Sequence, residues 1–307
     1  MRKAFNKELL QIAAERNNVF MILADIGYGE IEPFAEAHPD RFINCGVAEQ
    51  NMTGVACGVA MSGNTAITYS IANFPTLRCL EQIRNDVCYH NADVKIVIIG
   101  GGLAYGPLGI SHHSTEDLAI MRALPNMVCL APCDIPEAVA ATRAMMEYHG
   151  PVYYRCGYKG EKDIHNRPVG KFEFGKSIEV KPGKDLTVFF TGTIGYNAKL
   201  AVQEAARRGI DCRLVSMPCI KPIDREAIIR AAAETGKIIT VEEHQLSGGF
   251  GSAVAEVLAD ANVFCRFKRM GLPDVNVSKI GSQDYLRDQY GLGVDAIIYE
   301  ILEMSKK

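Results

Sequence analysis

The sequence carries no excess of one charge. Its 33 Lys and Arg stand against 36 Asp and Glu, a formal net charge of −3, so no strong field favours nucleic acid or an anionic membrane. No apolar run approaches the roughly 20 residues a membrane span needs, and the opening MRKAFNKELLQIAAERNN reads as an amphipathic helix without a signal-peptide core. A cytoplasmic protein is expected. A paired cysteine framework is also missing: ten cysteines are scattered through the chain, as expected of reduced, buried thiols. Cys129 and Cys133 lie four apart, but no His or Cys pair stands near them in sequence to complete a zinc site. The turn Ser247–Ser252 (SGGFGS) lacks both a P-loop lysine and dinucleotide-fingerprint spacing, so it reads as close helix–strand packing.

What is present is a regular alternation. With 307 residues, 48% hydrophobic and 22% charged, the chain is sized for two soluble globular domains. β-Branched runs at Val19–Asp25, Ile43–Cys45, Thr65–Ile71, Val94–Gly100, Met127–Ala131 and Val152–Arg155 are separated by helical patterns at Ala48–Met61, Leu77–His90, Thr115–Ala123 and Ile135–Tyr148. Strands that are hydrophobic almost throughout, with helices between them, predict a parallel sheet covered on both faces. Tyr158–Asp185, with six lysines and two prolines, breaks the rhythm and reads as a linker with a small hairpin. The alternation then resumes through strands Leu186–Thr191, Cys212–Met217, Ile238–Glu242 and Phe264–Met270 and ends in a helix Gly293–Met304. The expected fold class is α/β, with two consecutive parallel-sheet α/β domains at 1–160 and 185–307 joined by a linker at 161–184.

Asp40–Gly63 (DRFINCGVAEQNMTGVACGVAMSG) is the most informative segment. A strand ends at Cys45, Gly46 turns the chain, and Glu49 falls in the first turn of a helix at the C-terminal edge of the sheet, where open α/β sheets bind ligands. Taken alone, such a carboxylate serves the helix dipole. Gly54 and Gly58 share a helix face and would let another backbone approach.

This segment resembles the signature of the pyrimidine-binding domain of the transketolase family. LADIGYGEIEPF, EQIRNDVCYHNADVKIV, HHSTEDLAIMRALPNM and VEEHQLSGGFGSAVAE resemble further parts of the C-terminal half of these enzymes. The resemblance implies a thiamine-diphosphate pyrimidine-binding fold followed by a transketolase C-terminal-domain fold. It also implies that Glu49 hydrogen-bonds the cofactor's aminopyrimidine ring, which requires an apolar surrounding for the carboxyl. The ring-holding aromatic cluster corresponds to Tyr69–Leu77, where Phe74 keeps an aromatic position, Tyr69 lies alongside, and Ile71 and Leu77 replace aromatics by aliphatic packing. His112 falls on the substrate-contacting, catalytic histidine, with His113 beside it in place of a glutamine. Asp25 is the acidic strand end, counted with the substrate-binding residues. Arg155 and Arg2 match two phosphate-binding arginines, a role that suits the forked guanidinium. Leu108, Gly29 and Gly100 replace a hydroxyl-reading aspartate and two phosphate contacts, so an acceptor with a differently held or different anionic group is expected.

The family's Gly-Asp-Gly motif for the magnesium that bridges the diphosphate is missing from the sequence. By resemblance, a partner chain, the N-terminal transketolase subunit, should hold the diphosphate and Mg2+ in an α2β2 assembly, and no residue here is assigned to metal. The implied activity is transfer of a two-carbon ketol unit from a ketose to an aldose, on sugar or sugar-phosphate substrates. The alternatives are the β subunit of a 2-oxo-acid dehydrogenase, a deoxyxylulose-phosphate-synthase-like enzyme, and a non-catalytic regulatory partner. The sequence names neither donor nor acceptor sugar.

Overall fold

Every residue of Val94–Ile99 and of Leu186–Phe190 is buried, as strands covered on both faces require. In a computed structural model that describes residues 1–306, these runs form the interiors of two sheets. The strands are β1 Val19–Leu23, β2 Phe42–Asn44, β3 Thr65–Ile71, β4 Val94–Ile99, β5 Val128–Leu130, β6 Val152–Cys156, β7 Ile178–Lys181, β8 Leu186–Phe190, β9 Cys212–Ser216, β10 Cys219–Lys221, β11 Lys237–Gln245 and β12 Arg266–Leu272. The first sheet runs β10-β5-β6-β4-β3-β1-β2 and the second β12-β11-β8-β9-β7. All pairings are parallel except β10 with β5 and β7 with β9. The α/β reading with two mostly parallel sheets therefore holds.

Helices cover both faces of each sheet. On one side of the first sheet, Met52, Ala56 and Ala60 of the helix Glu49–Met61 pack with Leu118 and Met121 of Asp117–Ala123. On the other, Phe5 and Leu9 of Arg2–Glu15 meet Ala138, Ala141 and Met145 of Ile135–Glu147. In the second sheet, Ala198, Ala201 and Val202 of Gly195–Arg207 pack with Ile297 and Ile301 of Val294–Ser305. The opposite face is closed by Ile228 of Arg225–Thr235 and Val254 of Phe250–Asp260.

The departures from expectation are short elements. β10 lies beyond the expected linker, yet it returns to the edge of the first sheet, with Cys219 opposite Leu130 and Lys221 opposite Cys129. Three residues between Pro218 and Pro222 carry no readable period. The linker contains β7 as an edge strand of the second sheet rather than a hairpin of its own. The expected helix Leu77–His90 is interrupted, and Ile83–Cys88 is a π-helical turn. The helices Glu32–Ala37 and Gln283–Gln289 are too short for a periodic pattern.

One junction sets the geometry of the site. The loop after β4 is closed on itself by Gly102 and Ser114, which exchange backbone hydrogen bonds of 2.9 and 3.0 Å. Glu243 of β11 fastens that loop to the second sheet by accepting from the Leu103 N–H at 2.6 Å and from Gln283 at 2.8 Å while pairing with Arg287.

Candidate active site

The C-terminal ends of β1 and β2 are tied together by one side chain. Asn44 Oδ1 accepts from the backbone N–H groups of Asp25 (3.1 Å) and Gly46 (3.0 Å), and its Nδ2 donates to Asp25 Oδ1 at 3.1 Å. Asp25 has φ +53° and also accepts from the Tyr28 hydroxyl at 2.6 Å. These two donors hold its carboxyl below the usual aspartate range. Gly46, at φ +69°, makes a turn that side chains resist. The chain then enters the helix at Glu49.

Glu49 is 5% exposed. Its Oε2 accepts from Arg78 Nη1 at 3.0 Å, and the Arg78 guanidinium lies 4.3 Å from the centre of the Phe74 ring. Phe74 and Arg78 are four residues apart across one helical turn, Asn73–Leu77, a spacing at which side chains meet. That spacing is the signal by which Arg78 could have been read from sequence. Phe74 meets His112 edge-on at 5.2 Å, and His112 faces Tyr105 at 5.9 Å. Asn73 holds the two loops together by donating to the Ser111 carbonyl at 3.0 Å. Partial burial, and secondarily the Arg78 charge, lower the His112 pKa, so its imidazole is neutral at pH 7.

A cavity of about 270 Å³ adjoins this line, walled by Arg2, Tyr28, Tyr69, Ile71, Tyr105 and Tyr158 among others. Tyr105 and Tyr158 lie 4.3 Å apart, Arg2 sits over Tyr158 at 5.7 Å, and Arg2 donates to Glu30 at 3.0 Å. Burial pushes the Tyr105 hydroxyl up to about 12, and Tyr69, buried against Phe5, is also raised. Both remain protonated donors. Gly100 has φ +80°, and a Cβ there would collide with the Tyr105 ring. The side chain that the sequence lacks at 100 is thus replaced in space by Tyr105, which sequence reasoning did not single out. Tyr28 and Tyr158 were missed for the same reason, because only the fold brings their loops to this edge.

Glu49, Phe74 and His112 therefore stand together, and Arg2, Tyr69 and Ile71 share the neighbouring cavity. Three expected residues stand apart. Arg155 is buried, and its Nε and Nη2 donate to Asp117 (2.7 and 3.2 Å) and to the carbonyls of Ser114 (2.8 Å) and Glu243 (3.1 Å). It forms a buried ion pair with Asp117, apart from the Glu49 cluster. Leu77 is half exposed at the end of the short helix that carries Phe74. His113 is buried beneath His112 with neither ring nitrogen hydrogen-bonded, and burial lowers its pKa.

The Glu49–Phe74 pair is chemically suited to a flat, hydrogen-bond-donating group. A planar N–H donor, the Arg78 guanidinium, already lies over Phe74 and bonds the Glu49 carboxylate. The family description "Transketolase, pyrimidine binding domain" matches residues 1–157 and "Transketolase, C-terminal domain" matches residues 175–297: the chain belongs to the transketolase family, whose members depend on thiamine diphosphate. It is 37% identical over 307 residues to an apulose-4-phosphate transketolase subunit of Phocaeicola vulgatus, covering 100% of this chain and 97% of that one. It is 32% identical over 308 residues to a 6-deoxy-6-sulfo-D-fructose transketolase subunit of Clostridium sp. MSTE9, covering 100% and 95%. Among solved structures it is similar to a split-gene transketolase described as an inactive β4 tetramer, with a TM-score of 0.89, 35% identity, and 99% and 97% of the two chains covered. Among the described residues no helix is long and apolar enough to cross a membrane.

Proposed function

We propose that the chain is the pyrimidine-side subunit of a two-chain transketolase, transferring a two-carbon ketol unit from a ketose to an aldose. The observation that carries this reading is the placement of the buried Glu49 carboxylate beside Phe74 and His112 at one sheet edge. Thiamine diphosphate, when bound, would supply the electron sink for carbon–carbon cleavage. Glu49 would hold the hydrogen bond to the pyrimidine, Phe74 would stack on it, and Ile71 would pack beside it. Neutral His112 would donate a hydrogen bond to, or move a proton at, the substrate carbonyl and hydroxyl oxygens.

Partner dependence is supported by what rims this edge. Tyr28, Val47, Leu77, Leu108 and Ile110 are large apolar side chains exposed around the Glu49 cluster, and such a patch marks an interaction surface. Gly54 and Gly58 sit on the open face of the Glu49 helix with nothing within 4 Å of a built Cβ. The occupant is an N-terminal transketolase subunit that holds the diphosphate and Mg2+, in an α2β2 assembly. Arg2 is the cation left for an anionic acceptor group, with tyrosine hydroxyls around it. The two named relatives carry phosphate and sulfo groups in their substrate names, which is compatible with that role.

The test is reconstitution. The chain mixed with its N-terminal partner, thiamine diphosphate and Mg2+ should transfer a ketol unit, while the chain alone should not. Glu49→Gln should lower kcat by about 100-fold or more, in the range expected for a group acting on a proton in the transition state. A Glu49→Gln complex at full speed would end this reading. Phosphorylated and unphosphorylated acceptors compared in the same assay would define the role of Arg2.

A further inference from the structure

Far from the Glu49 edge, the corner between β5 and the helix Ile135–Glu147 holds a second cluster of chemistry-bearing side chains. Cys133 Sγ, a Glu137 carboxylate oxygen and a His165 ring nitrogen all lie within 4.8 Å of one another. Cys133 and Glu137 are one helical turn apart, and His165 comes from the linker 28 residues beyond Glu137. No sequence spacing announces this trio, because the fold alone brings the linker across the corner.

The backbone that carries these side chains is fixed by one buried aspartate. Asp134 caps the helix by accepting from the Glu137 N–H at 3.1 Å, and its other oxygen accepts from the N–H groups of Ile164 (2.8 Å) and His165 (2.7 Å). Glu137 Oε2 accepts from the Cys133 N–H at 2.8 Å, and Oε1 lies 2.8 Å from His165 Nε2. Cys133 and Glu137 are fully buried, whereas the His165 side chain is 10% exposed. The Ser216 hydroxyl, at the end of β9 in the second sheet, is buried beside the Cys133 thiol. His165 also walls two surface cavities of about 580 and 520 Å³, so the cluster is reachable from solvent on one side.

We propose that Cys133, Glu137 and His165 form a zinc site that clips the linker to the first domain. A thiolate, a carboxylate and an imidazole are a donor set for Zn2+, with a fourth position left for water from the cavity side. The hydrogen bonds of Asp134 and of the Cys133 N–H are the outer partners that orient such ligands. On binding, the Cys133 S–H bond breaks, its proton leaves to solvent, and the Zn–S bond forms, with no change of oxidation state. The Glu137–His165 contact opens to admit the ion, and the linker becomes bonded through metal to the helix it already touches.

Metal titration of the purified full-length chain tests this without any assay of transketolase activity. The chain is stripped with a chelator and titrated with ZnCl2 against a chromophoric competitor, and separately with Co2+ followed by absorption. The expected result is one zinc per chain, a tetrahedral cobalt spectrum with a thiolate charge-transfer band, and a rise in Tm with zinc. Cys133→Ser should remove that band. His165→Gln, at the solvent edge, should weaken zinc by about tenfold or more while keeping the circular dichroism of the unmodified chain, so the test does not depend on the buried variant folding. Zinc bound no more tightly by the parent chain than by His165→Gln, a cobalt spectrum without a thiolate band, or a band that survives in Cys133→Ser would each overturn the proposal.

Discussion

Arg78 stands where the proposed reading needs a ring, and replacing it should make the cofactor bind more tightly. In the chain alone its guanidinium covers one face of Phe74 and donates to Glu49, the two side chains assigned to the pyrimidine. Arg78 must leave before a ring can stack and bond there. The energy to be overcome follows from the geometry. The ion pair at 3.0 Å joins a carboxylate 5% exposed to a guanidinium side chain 50% exposed, so solvent screening keeps it near the upper end of exposed pairs, about 1 kcal/mol. The contact with Phe74 adds about 0.5–1 kcal/mol. Arg78→Met keeps a long apolar stem and removes both terms, a difference of about 1.5–2 kcal/mol, or roughly 10- to 30-fold in an equilibrium constant. The assay is titration of the reconstituted two-chain complex with thiamine diphosphate at fixed Mg2+, by activity and by calorimetry. An apparent affinity for Arg78→Met equal to or weaker than that of the parent complex would refute displacement of Arg78 by the ring. A loss confined to kcat would show instead that the guanidinium acts on the substrate.

The two arginines assigned alike from sequence should separate in experiment. Arg155→Met leaves Asp117 buried without its cation and should destabilise the fold by about 3–5 kcal/mol, read by urea denaturation of the chain alone, whereas Arg2→Ala should leave stability nearly unchanged and raise KM for an anionic acceptor in the reconstituted enzyme. Gly100→Ala adds a methyl group that the Tyr105 ring already excludes, at a positive φ, and should lower Tm, with Tyr105→Ala in the same chain restoring part of the loss. Burial raises the Glu242 carboxyl from 4.5 to about 7 even though it accepts from the Phe250 and Gly251 N–H groups at 2.6 and 2.8 Å. A group with a raised folded pKa favours the folded state at low pH and loses that contribution as pH rises through the folded value. Relative to Glu242→Gln, the parent chain should therefore lose up to about 3 kcal/mol between pH 4.5 and pH 8, measured as the difference between the two denaturation series. His113, lowered by burial, tilts stability the other way and cancels in that difference.

The parallel core was legible because it is written in hydrophobicity alone. β3, β4 and β8 need no partner to announce themselves, since strands buried on both faces are apolar almost throughout. β7 and β10 were not legible as strands, since an edge strand of three or four residues is defined by what it pairs with. The site divides along the same line. Glu49 could be placed from the strand–turn–helix around Gly46, all within a few residues. Arg155 could be placed at a strand end, but its occupation by Asp117 depends on a residue 38 positions earlier in the chain. Nothing in VYYRCG separates an arginine offered to a ligand from one already paired. Tyr105 filling the space over Gly100 is the converse case, in which a residue absent from one position is compensated by a ring arriving from five residues away.

A buried carboxylate that must meet a bound ring cannot lie under its own chain's backbone. On the proposed reading it opens on a surface that a partner chain closes. Here Glu49 is nearly inaccessible beneath the half-exposed Arg78, and the exposed apolar Val47, Leu77, Leu108 and Ile110 are the roof proposed to meet the partner. Charging that roof should therefore separate assembly from folding. Val47→Asp and Ile110→Asp change side chains already in water, so they should alter the stability of the chain alone by no more than about 0.5 kcal/mol. In the two-chain complex each would bury an unpaired charge, at a cost of several kcal/mol. Sedimentation of the mixed chains should then show the complex lost while the melting curve of the single chain is kept. If both variants assembled normally with the N-terminal partner, the apolar roof would not be the seam, and Glu49 would have to meet its ring by another approach.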